Sequence, residues 1–311
     1  MGPGFAAERG PSIWIDVASS DSAYRSVRDA FDEHTIIVFR DQKVSDDVQV
    51  GFTRAFGPLE RTKVGLLSAG ALHIRMTNIG ADGSPVPADH REALINRANQ
   101  LWHTDSSFKA TPALASVLSA RIIPDEGGET EFTSTRLAWD RLPAREKEAL
   151  RDLIVVHSYG NSRDQIDPQL MTPEERAALP AVRWRMTWYN PANGRNALYL
   201  ASHAASVEGI DRDEGKALLA RLIEDATQQR DTYLHRWRPG DVVMWDNRAS
   251  MHRGRPWPEA QARLMVREVR LAEPLDGLRP AKDVETTNCP ETPGSTCRRN
   301  DPHSDQPEGN R

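Results

Sequence analysis

The sequence predicts a mainly β protein with flanking helices, and two observations lead to this fold class. Short segments of alternating or continuously apolar residues recur along the chain, separated by turn-forming residues, which is typical of a sandwich or barrel rather than a parallel sheet. Longer stretches with apolar residues at helical spacing lie between them. With 311 residues, 38% of them hydrophobic, the chain can bury a large core, and jelly-roll proteins of this size can be single domains with insertions.

The first elements are two predicted helices on either side of a buried strand. Residues 21–34 repeat apolar side chains near helical spacing, and Ser19 or Ser20 precedes them as a candidate cap. Residues 36–40, Ile-Ile-Val-Phe-Arg, are predicted to form a buried strand. Residues 46–56 carry apolar side chains at four-residue intervals and are predicted to be helical.

The middle and the end of the chain contain most of the predicted strands. Residues 72–79 alternate as a strand. Residues 80–97 are rich in Gly, Pro, Asp and charge, and we expect a long loop there that is functional or disordered. The remaining strands are predicted over residues 114–123, 130–134, 233–237, 241–245 and 264–271, and the remaining helices over residues 137–153 and 214–229.

Composition excludes several classes of protein. The net charge of −5, from 45 acidic and 40 basic residues, gives no broad basic field for nucleic acid. No apolar run approaches the roughly 20 residues that a membrane span needs, and residues 1–12 lack the pattern of a signal peptide and are predicted to be flexible. Residues 276–311 lose apolar side chains, which predicts a disordered tail. Its two cysteines, Cys289 and Cys297, suit unpaired thiols in a cytoplasmic protein.

Two histidines and a carboxylate form a candidate metal site. In His103-Thr104-Asp105, an extended strand would place the first and third side chains on one face, and His252 follows the strand-like residues 241–245. Two His and one carboxylate leave three coordination positions open, which is the facial arrangement of non-haem iron(II) oxygenases. The alternative is a chance His-x-Asp without a metal, because short motifs often match by coincidence.

Arg263 and Arg267 share one face of the alternating segment over residues 261–271, most of which is the strand predicted over residues 264–271. An arginine fork can pair bidentately with a carboxylate and stays charged when buried, so Arg263 could hold the far carboxylate of a 2-oxo acid. Two cations on one strand face would repel each other unless anions bind beside them. The alternative is a solvated edge strand with a basic face.

These motifs occur together with others in a recognisable order. The segments are Ile-Ile-Val-Phe-Arg at 36–40, Phe-Gly-Pro-Leu-Glu at 56–60, Asn-Gln-Leu-Trp-His-Thr-Asp-Ser-Ser-Phe at 99–108, Gly-Gly-Glu-Thr-Glu-Phe at 127–132 and Gly-Asp-Val-Val-Met-Trp-Asp-Asn-Arg at 240–248. With them the chain resembles, from about Ile13 to about Pro274, the taurine dioxygenase / 2,4-dichlorophenoxyacetate dioxygenase family of iron(II)- and 2-oxoglutarate-dependent dioxygenases. The resemblance is nearer to the dichlorophenoxyacetate branch.

The resemblance implies a double-stranded β-helix (jelly-roll) core, in a single domain over residues 13–275 with an active-site lid over residues 80–98. It implies Fe(II) as cofactor, 2-oxoglutarate as cosubstrate and O2. By position, His103, Asp105 and His252 match the iron ligands, Thr130 and Arg263 the 2-oxoglutarate-binding groups, and Arg267 the cation for the substrate's acidic group. Asn99 and Lys63 are further candidates for substrate contact, because Asn99 precedes His103 by four residues and Lys63 follows the segment 56–60.

The implied activity is hydroxylation of a small anionic substrate, an aryloxyalkanoate-like carboxylate, with ether cleavage and release of succinate and CO2. An alkylsulfonate dioxygenase of the taurine type would use the same Arg267 and stays open. A third possibility, of a different class, is a non-catalytic metal-binding jelly-roll protein, although such a protein has no need of a clamp like Arg263. Residues 66–72 and 186–191 depart from the family pattern, so the substrate is less defined than the chemistry. A homo-oligomer is expected.

Overall fold

A computed structural model describes residues 4–9, 17–61 and 71–278, which leaves Lys63 and the predicted tail after residue 278 outside the described residues. The strands are β1 (Ala6–Arg9), β2 (Ile36–Phe39), β3 (Ile74–Thr77), β4 (Ala113–Ile122), β5 (Thr130–Ser134), β6 (Ile154–His157), β7 (Val182–Arg185), β8 (Thr187–Asn190), β9 (Arg195–Leu198), β10 (Ala204–Val207), β11 (Thr232–His235), β12 (Val242–Asp246), β13 (Ser250–Gly254) and β14 (Leu264–Leu271). The helices are α1 (Asp21–Glu33), α2 (Asp46–Ala55), α3 (Arg91–Ala98), α4 (Thr135–Arg141), α5 (Ala144–Leu150), α6 (Tyr159–Asp164), α7 (Pro173–Ala178) and α8 (Arg212–Ala226). No helix within the described ranges is both long and apolar enough to span a membrane.

The largest sheet has six strands in the order β1–β2–β12–β4–β14–β3. Its pairs are antiparallel except for β1 with β2. β14 pairs with β4 along its whole length and with β3 over its first half, so that Arg267 lies opposite both Leu118 and Ile74. The strand that was predicted to carry the two functional arginines is therefore held on both sides.

A second sheet has three antiparallel strands in the order β11–β5–β13. Its central strand places Thr130 opposite His235 of β11 and Gly254 of β13, and places Phe132 opposite His252. A three-stranded sheet, β10–β6–β7, and a two-stranded sheet, β8–β9, complete the strands of the described ranges. The mainly β architecture with flanking helices agrees with the prediction.

The six-stranded sheet and the β11–β5–β13 sheet face each other across one apolar core. Phe132 of β5 packs in one cluster with Val38, Leu118 and Met265 of the six-stranded sheet. Each such side chain contributes about 1.5–3 kcal/mol to stability by leaving water. The residue next to Val38 points to the other face, because side chains alternate along a strand. There Phe39 packs against helices α1 and α2, which explains the continuous apolar run of β2.

The segment predicted as a loop over residues 80–97 contains a helix, so that prediction is wrong for its second half. Helix α3 begins after His90, whose ring nitrogen accepts a hydrogen bond from the Glu92 backbone N–H at 3.4 Å. Asn96 then ties the helix to β3 by donating to the Thr77 carbonyl at 2.9 Å. The Gly and Pro residues of the segment all lie before residue 88, so its average composition concealed the helix. The role as a lid stays a prediction.

The other predicted helices and strands are found with ends shifted by a few residues, except that the helix predicted over residues 137–153 is divided into α4 and α5. The predicted cap Ser20 is the N-cap of α1. Strands β7 to β10 and β13 and helices α6 and α7 were not predicted, because each is at most six residues long and lacks a clear apolar period. Within the N-terminal segment that was predicted to be flexible, β1 forms and pairs in parallel with β2.

Candidate active site

The backbone places the two histidines side by side. His103 and His252 form an isolated antiparallel bridge, in which the N–H of each donates to the carbonyl of the other at 2.9 and 2.8 Å. His252 lies in the middle of β13. His103 is not part of a strand, contrary to the prediction for His-x-Asp, because the chain turns at Asp105 and the next residue, Ser106, adopts a left-handed φ of 52°.

The three side chains converge as a metal site requires. One ligand atom of each of His103, Asp105 and His252 lies within 4.8 Å of the others, and all three residues are buried. The two imidazole rings are 4.2 Å apart between centroids, and Nε2 of His252 is 3.7 Å from Oδ2 of Asp105. Nδ1 of His103 is 2.7 Å from the Leu101 carbonyl, so Nδ1 carries the proton and Nε2 is left as the ligand atom. This donor set fits a divalent metal with open positions.

Three neighbours fix the Asp105 carboxylate. The Ser116 hydroxyl donates to Oδ2 at 2.7 Å, and Arg267 donates through Nη1 to Oδ1. The backbone N–H of Asp105 donates to the side-chain oxygen of Asn247 at 3.1 Å, and the Asn247 amide nitrogen donates in turn to the Ser116 hydroxyl at 2.9 Å. The carboxylate therefore cannot rotate without breaking several buried hydrogen bonds.

The electrostatics favour the metal-binding protonation states. Burial lowers the pKa of both His103 and His252, which keeps the imidazoles neutral at pH 7, as metal ligation requires. Burial alone would raise the pKa of Asp105, but Arg267, the two histidines and the Ser116 hydrogen bond together outweigh burial, and the pKa lies well below its usual range. The site thus combines an ionised carboxylate with two neutral imidazoles.

A cavity opens beside these ligands. It brings together most of the residues that the sequence singled out. The lining residues that were predicted are Asn99, His103, Thr130, His252, Arg263 and Arg267. Lys63 lies outside the described residues, so its prediction remains open.

Arg263 is a buried cation without an acidic partner in the described part of the chain. Its guanidinium stacks on Trp257 at 5.0 Å from the ring centroid, and Nη2 donates to the Gly128 carbonyl at 3.2 Å. Nε is buried and has no hydrogen-bond partner among the described residues. Burial lowers the pKa of Arg263 to about 10, so the group stays charged at pH 7. A buried, uncompensated cation in a cavity is suited to bind an anion.

Arg267, which was predicted to anchor the acidic group of the substrate, also contacts a candidate metal ligand. Nη1 is engaged by the Asp105 carboxylate, whereas Nε is buried and lacks a hydrogen-bond partner among the described residues. The guanidinium also lines the cavity, so part of its hydrogen-bonding capacity remains.

Sequence reasoning missed three residues of the site. Ser116 and Asn247 hold Asp105, and Trp257 covers Arg263. A hydroxyl in the otherwise apolar first half of β4 was a signal for Ser116. Asn247 follows directly on a buried strand, whereas nothing in the loop Pro256-Trp257-Pro258 distinguished Trp257.

The site can be compared with known proteins. The sequence matches the family described as "Taurine catabolism dioxygenase TauD, TfdA family" over residues 1–268. The chain belongs to this family. It is 40% identical over 264 residues to the α-ketoglutarate-dependent 2,4-dichlorophenoxyacetate dioxygenase of Cupriavidus pinatubonensis, which covers 83% of this chain and 91% of that protein. It is 31% identical over 253 residues to the (S)-phenoxypropionate/α-ketoglutarate dioxygenase of Sphingobium herbicidovorans, covering 79% and 85%.

Among solved structures, AAD-2 in complex with Mn(II) and N-oxalylglycine aligns with a TM-score of 0.80 at 35% identity, covering 90% of this chain and 96% of that one. The resemblance inferred from the motifs is therefore confirmed, and the protein is a dioxygenase of the TauD/TfdA family. The prediction of a 2-oxoglutarate-dependent non-haem iron enzyme is confirmed at the level of the family, and the His–Asp–His site agrees with it.

Proposed function

We propose that the protein is an iron(II)- and 2-oxoglutarate-dependent dioxygenase that oxidises a small aryloxyalkanoate-like carboxylate and cleaves its ether bond. The observation that carries the proposal is that one cavity contains both a His–Asp–His site and the buried, uncompensated Arg263. The choice of substrate class is supported by the phenoxyacetate and phenoxypropionate dioxygenases among the relatives. The sulfonate and non-catalytic alternatives have no comparable support.

His103, Asp105 and His252 would hold the iron, which when bound supplies the redox chemistry of O2. The protein's own part is to orient the reactants and exclude water. In the net reaction 2-oxoglutarate loses CO2 and becomes succinate, which takes up one oxygen atom of O2, and the other oxygen atom is inserted into a substrate C–H bond. A carbon hydroxylated next to an ether oxygen then releases that oxygen as a phenol.

Arg263 and Thr130 would bind the far carboxylate of 2-oxoglutarate. Arg263 has an unsatisfied Nε, and Thr130 lines the same cavity from the central strand of the second sheet. A bidentate arginine–carboxylate pair gives both strength and orientation. The stacking of Trp257 on Arg263 covers this end of the cavity and limits its contact with water.

Arg267 would anchor the acidic group of the substrate, with Asn99 as a hydrogen-bonding neighbour. Arg267 fixes Asp105 through Nη1 and still has an unpartnered Nε, so one side chain can orient a metal ligand and meet a substrate anion. Asn99 is the C-cap residue of α3, at the turn that leads to His103, and lines the cavity. Lys63 is a further candidate from its sequence position alone.

A substrate panel tests the proposal. The iron-loaded enzyme is given 2-oxoglutarate and O2 with aryloxyacetates, (R)- and (S)-aryloxypropionates, taurine or no substrate, and succinate, phenol and sulfite are measured. Phenol release matched to succinate supports the proposal. Release of sulfite from taurine in preference to turnover of every aryloxy acid would support the sulfonate activity instead. If none of the substrates raised succinate release above background, both activities would be contradicted.

The broader organisation follows the same proposal. The two facing sheets and the similarity to AAD-2 support a double-stranded β-helix core within a single domain over residues 13–275. We further propose that the enzyme is cytoplasmic and forms a homo-oligomer. It would act on a small anionic molecule rather than on nucleic acid or a membrane. Size-exclusion chromatography with light scattering measures the number of subunits directly.

A further inference from the structure

The hydroxyl of Thr130 accepts a hydrogen bond from a buried indole. Thr130 is the first residue of β5 and lines the cavity beside Arg263. Nε1–H of Trp237, which lies just after β11, donates to Oγ1 of Thr130 at 3.0 Å. Trp237 is 8% exposed and is part of the apolar core between the six-stranded sheet and the β11–β5–β13 sheet.

This hydrogen bond determines the direction of the Thr130 proton. An indole nitrogen is only a donor, whereas a threonine hydroxyl has one hydrogen and two acceptor lone pairs. Because Trp237 occupies a lone pair, the hydrogen of Thr130 must point elsewhere. Among the hydrogen bonds of the described residues, none uses the Thr130 hydroxyl as a donor, so its hydrogen remains for a group in the cavity.

The indole itself is fixed in place. The His235 ring packs edge-to-face on Trp237, with 4.4 Å between centroids, and Nδ1 of His235 is 3.1 Å from the Tyr233 hydroxyl. Nε2 of His235 lies 3.3 Å from Oδ2 of Asp241. Both His235 and Asp241 are buried, so Trp237 cannot turn away from Thr130 without disturbing this cluster and the core.

We propose that Trp237 is a positioning residue that orients the Thr130 hydroxyl as a hydrogen-bond donor toward the far carboxylate of the cosubstrate. The cavity then presents a neutral donor beside the Arg263 cation, and the pair distinguishes a dicarboxylic 2-oxo acid from a monocarboxylic one. The inference rests on the proposed function, in which Thr130 and Arg263 bind that carboxylate. Trp237 contacts neither the cosubstrate nor the metal ligands in this arrangement and acts through Thr130.

The test compares two 2-oxo acids that differ in the far carboxylate. Mn(II)-loaded wild type and Trp237→Phe are titrated calorimetrically with 2-oxoglutarate and with 2-oxobutyrate, which lacks that carboxylate. We expect Trp237→Phe to bind 2-oxoglutarate about 3- to 10-fold more weakly, which corresponds to one net hydrogen bond, and to bind 2-oxobutyrate as wild type does. Equal weakening toward both acids would show a merely structural role and overturn the inference.

Trp188→Phe is the matched control. Trp188 is also buried, and its indole N–H donates to the Asp276 carbonyl at 3.0 Å, but it does not line the cavity. Loss of this indole hydrogen bond should leave the affinity ratio of the two acids unchanged. A changed ratio in Trp188→Phe would mean that the ratio reports general loosening, and the result for Trp237→Phe would then count against the inference.

Thr130→Val separates the inference from the proposed function. If Thr130→Val leaves 2-oxoglutarate affinity unchanged, the assigned role of Thr130 fails, and the inference fails with it. If Thr130→Val weakens binding but Trp237→Phe does not, only the inference fails. In the double variant we expect the same affinity as in Thr130→Val alone, because Trp237 acts through Thr130, and additive losses would contradict the mechanism.

A measurement on the unmutated Trp237 covers the case in which Trp237→Phe does not fold. In Zn(II)-loaded protein with 15N-labelled indoles, the Trp237 N–H resonance is identified as the one that Thr130→Val moves most. It should shift when 2-oxoglutarate binds and stay in place with 2-oxobutyrate. An unmoved resonance at saturating 2-oxoglutarate would overturn the inference.

Discussion

Arg267 lies in strand β14 and Arg263 directly precedes that strand, and their surroundings give them different tasks. Arg267 is compensated by the Asp105 carboxylate, whereas Arg263 is buried with no acidic partner among the described residues. Charge count and spacing make the two residues look equivalent in the sequence. The two arginines are distinguished by the position of Asp105, whose carboxylate contacts Arg267.

Replacing Arg263 by leucine should abolish tight cosubstrate binding without weakening the fold. Burial of the cation costs desolvation energy, and no carboxylate among the described residues offsets this cost. Removing the cation should therefore leave the melting temperature of the ligand-free protein unchanged or higher. Affinity for 2-oxoglutarate should fall by about 100-fold or more, equivalent to roughly 3 kcal/mol. Thermal melts with and without 2-oxoglutarate measure both effects. A large loss of stability in Arg263→Leu without ligand would contradict the description of its environment.

His252→Ala should lower metal affinity by about 10- to 100-fold or more, because it removes one of three converging ligands. Iron(II) titration under anaerobic conditions measures the effect. His157→Leu is a matched control, since His157 is also fully buried but has no hydrogen-bond partner for either ring nitrogen among the described residues. Wild-type affinity in His252→Ala, or an equal loss in His157→Leu, would refute the ligand assignment.

Strand β14 carries different chemistry on its two faces. Met265, Arg267 and Val269 alternate with residues that point toward helix α2, where Gln49 donates to the Val266 carbonyl at 2.9 Å. The carboxyl of Glu268 lies on that second face and is fully buried. The strand thus combines a cavity-lining cation with an acidic side chain in the opposite layer.

Glu268 makes the stability of the fold depend on pH. Burial raises its pKa to about 8, against the smaller opposing effects of Gln49 and Arg121. Between the ordinary pKa of a glutamate and this value, the folded chain keeps a proton that the unfolded chain releases. Stability should therefore fall as pH rises through this window, by up to about 1.4 kcal/mol per pH unit, and level off above pH 8.

Glu268→Gln should flatten this part of the pH profile, because the amide is neutral at every pH. Urea unfolding at pH 5, 6, 7 and 8 for wild type and variant gives the difference directly. The free energy of unfolding of the variant should increase relative to that of the wild type as pH rises. A constant difference across the series would show that Glu268 keeps an ordinary pKa.

The turn into β5 depends on Gly128 for two separate reasons. Its φ is +70°, and a Cβ there would come within 2.9 Å of Pro124 Cγ and 3.3 Å of Arg263 Nε. Gly83 has a similar φ of +84°, but a Cβ there would meet nothing within 4 Å. The pair therefore separates backbone strain from crowding of Pro124 and Arg263.

Gly83→Ala should cost about 1–2 kcal/mol of stability from the left-handed backbone alone and leave 2-oxoglutarate affinity unchanged. Gly128→Ala should cost more and also weaken 2-oxoglutarate binding, because the new methyl group displaces the Arg263 guanidinium. Denaturant melts and cosubstrate titrations on both variants check the prediction. Equal affinities in the two variants would mean that Arg263 can move aside without loss.

Across the whole molecule, the sequence predicted the elements with long, clear apolar periods and the ligands with a characteristic spacing. Helix α1, strand β2 and strand β14 were found where their periodicity placed them. Short strands such as β9, Arg-Asn-Ala-Leu, were missed, since four residues with mixed polarity acquire their structure from pairing with a neighbour.

The residues that support the site could not be predicted for a related reason. Trp237 and Thr130, which form a hydrogen bond, are 107 positions apart in the sequence. Ser116 contacts Asp105 from strand β4, whose neighbours in the sheet come from distant parts of the chain. Such contacts depend on the tertiary arrangement, which no local pattern encodes. Ligand identity was readable from the sequence, whereas the groups that orient each ligand were not.

The paired backbone hydrogen bonds between His103 and His252 make the position of a ligand independent of its identity. Every amino acid except proline has the N–H and carbonyl groups that form this bridge, so a different side chain at either position starts from the same point in space. Cysteine or glutamate at residue 103 or 252 would therefore face the same centre with a different donor atom. The fold offers a frame in which metal preference can diverge by single substitutions, without rebuilding the strands that hold it.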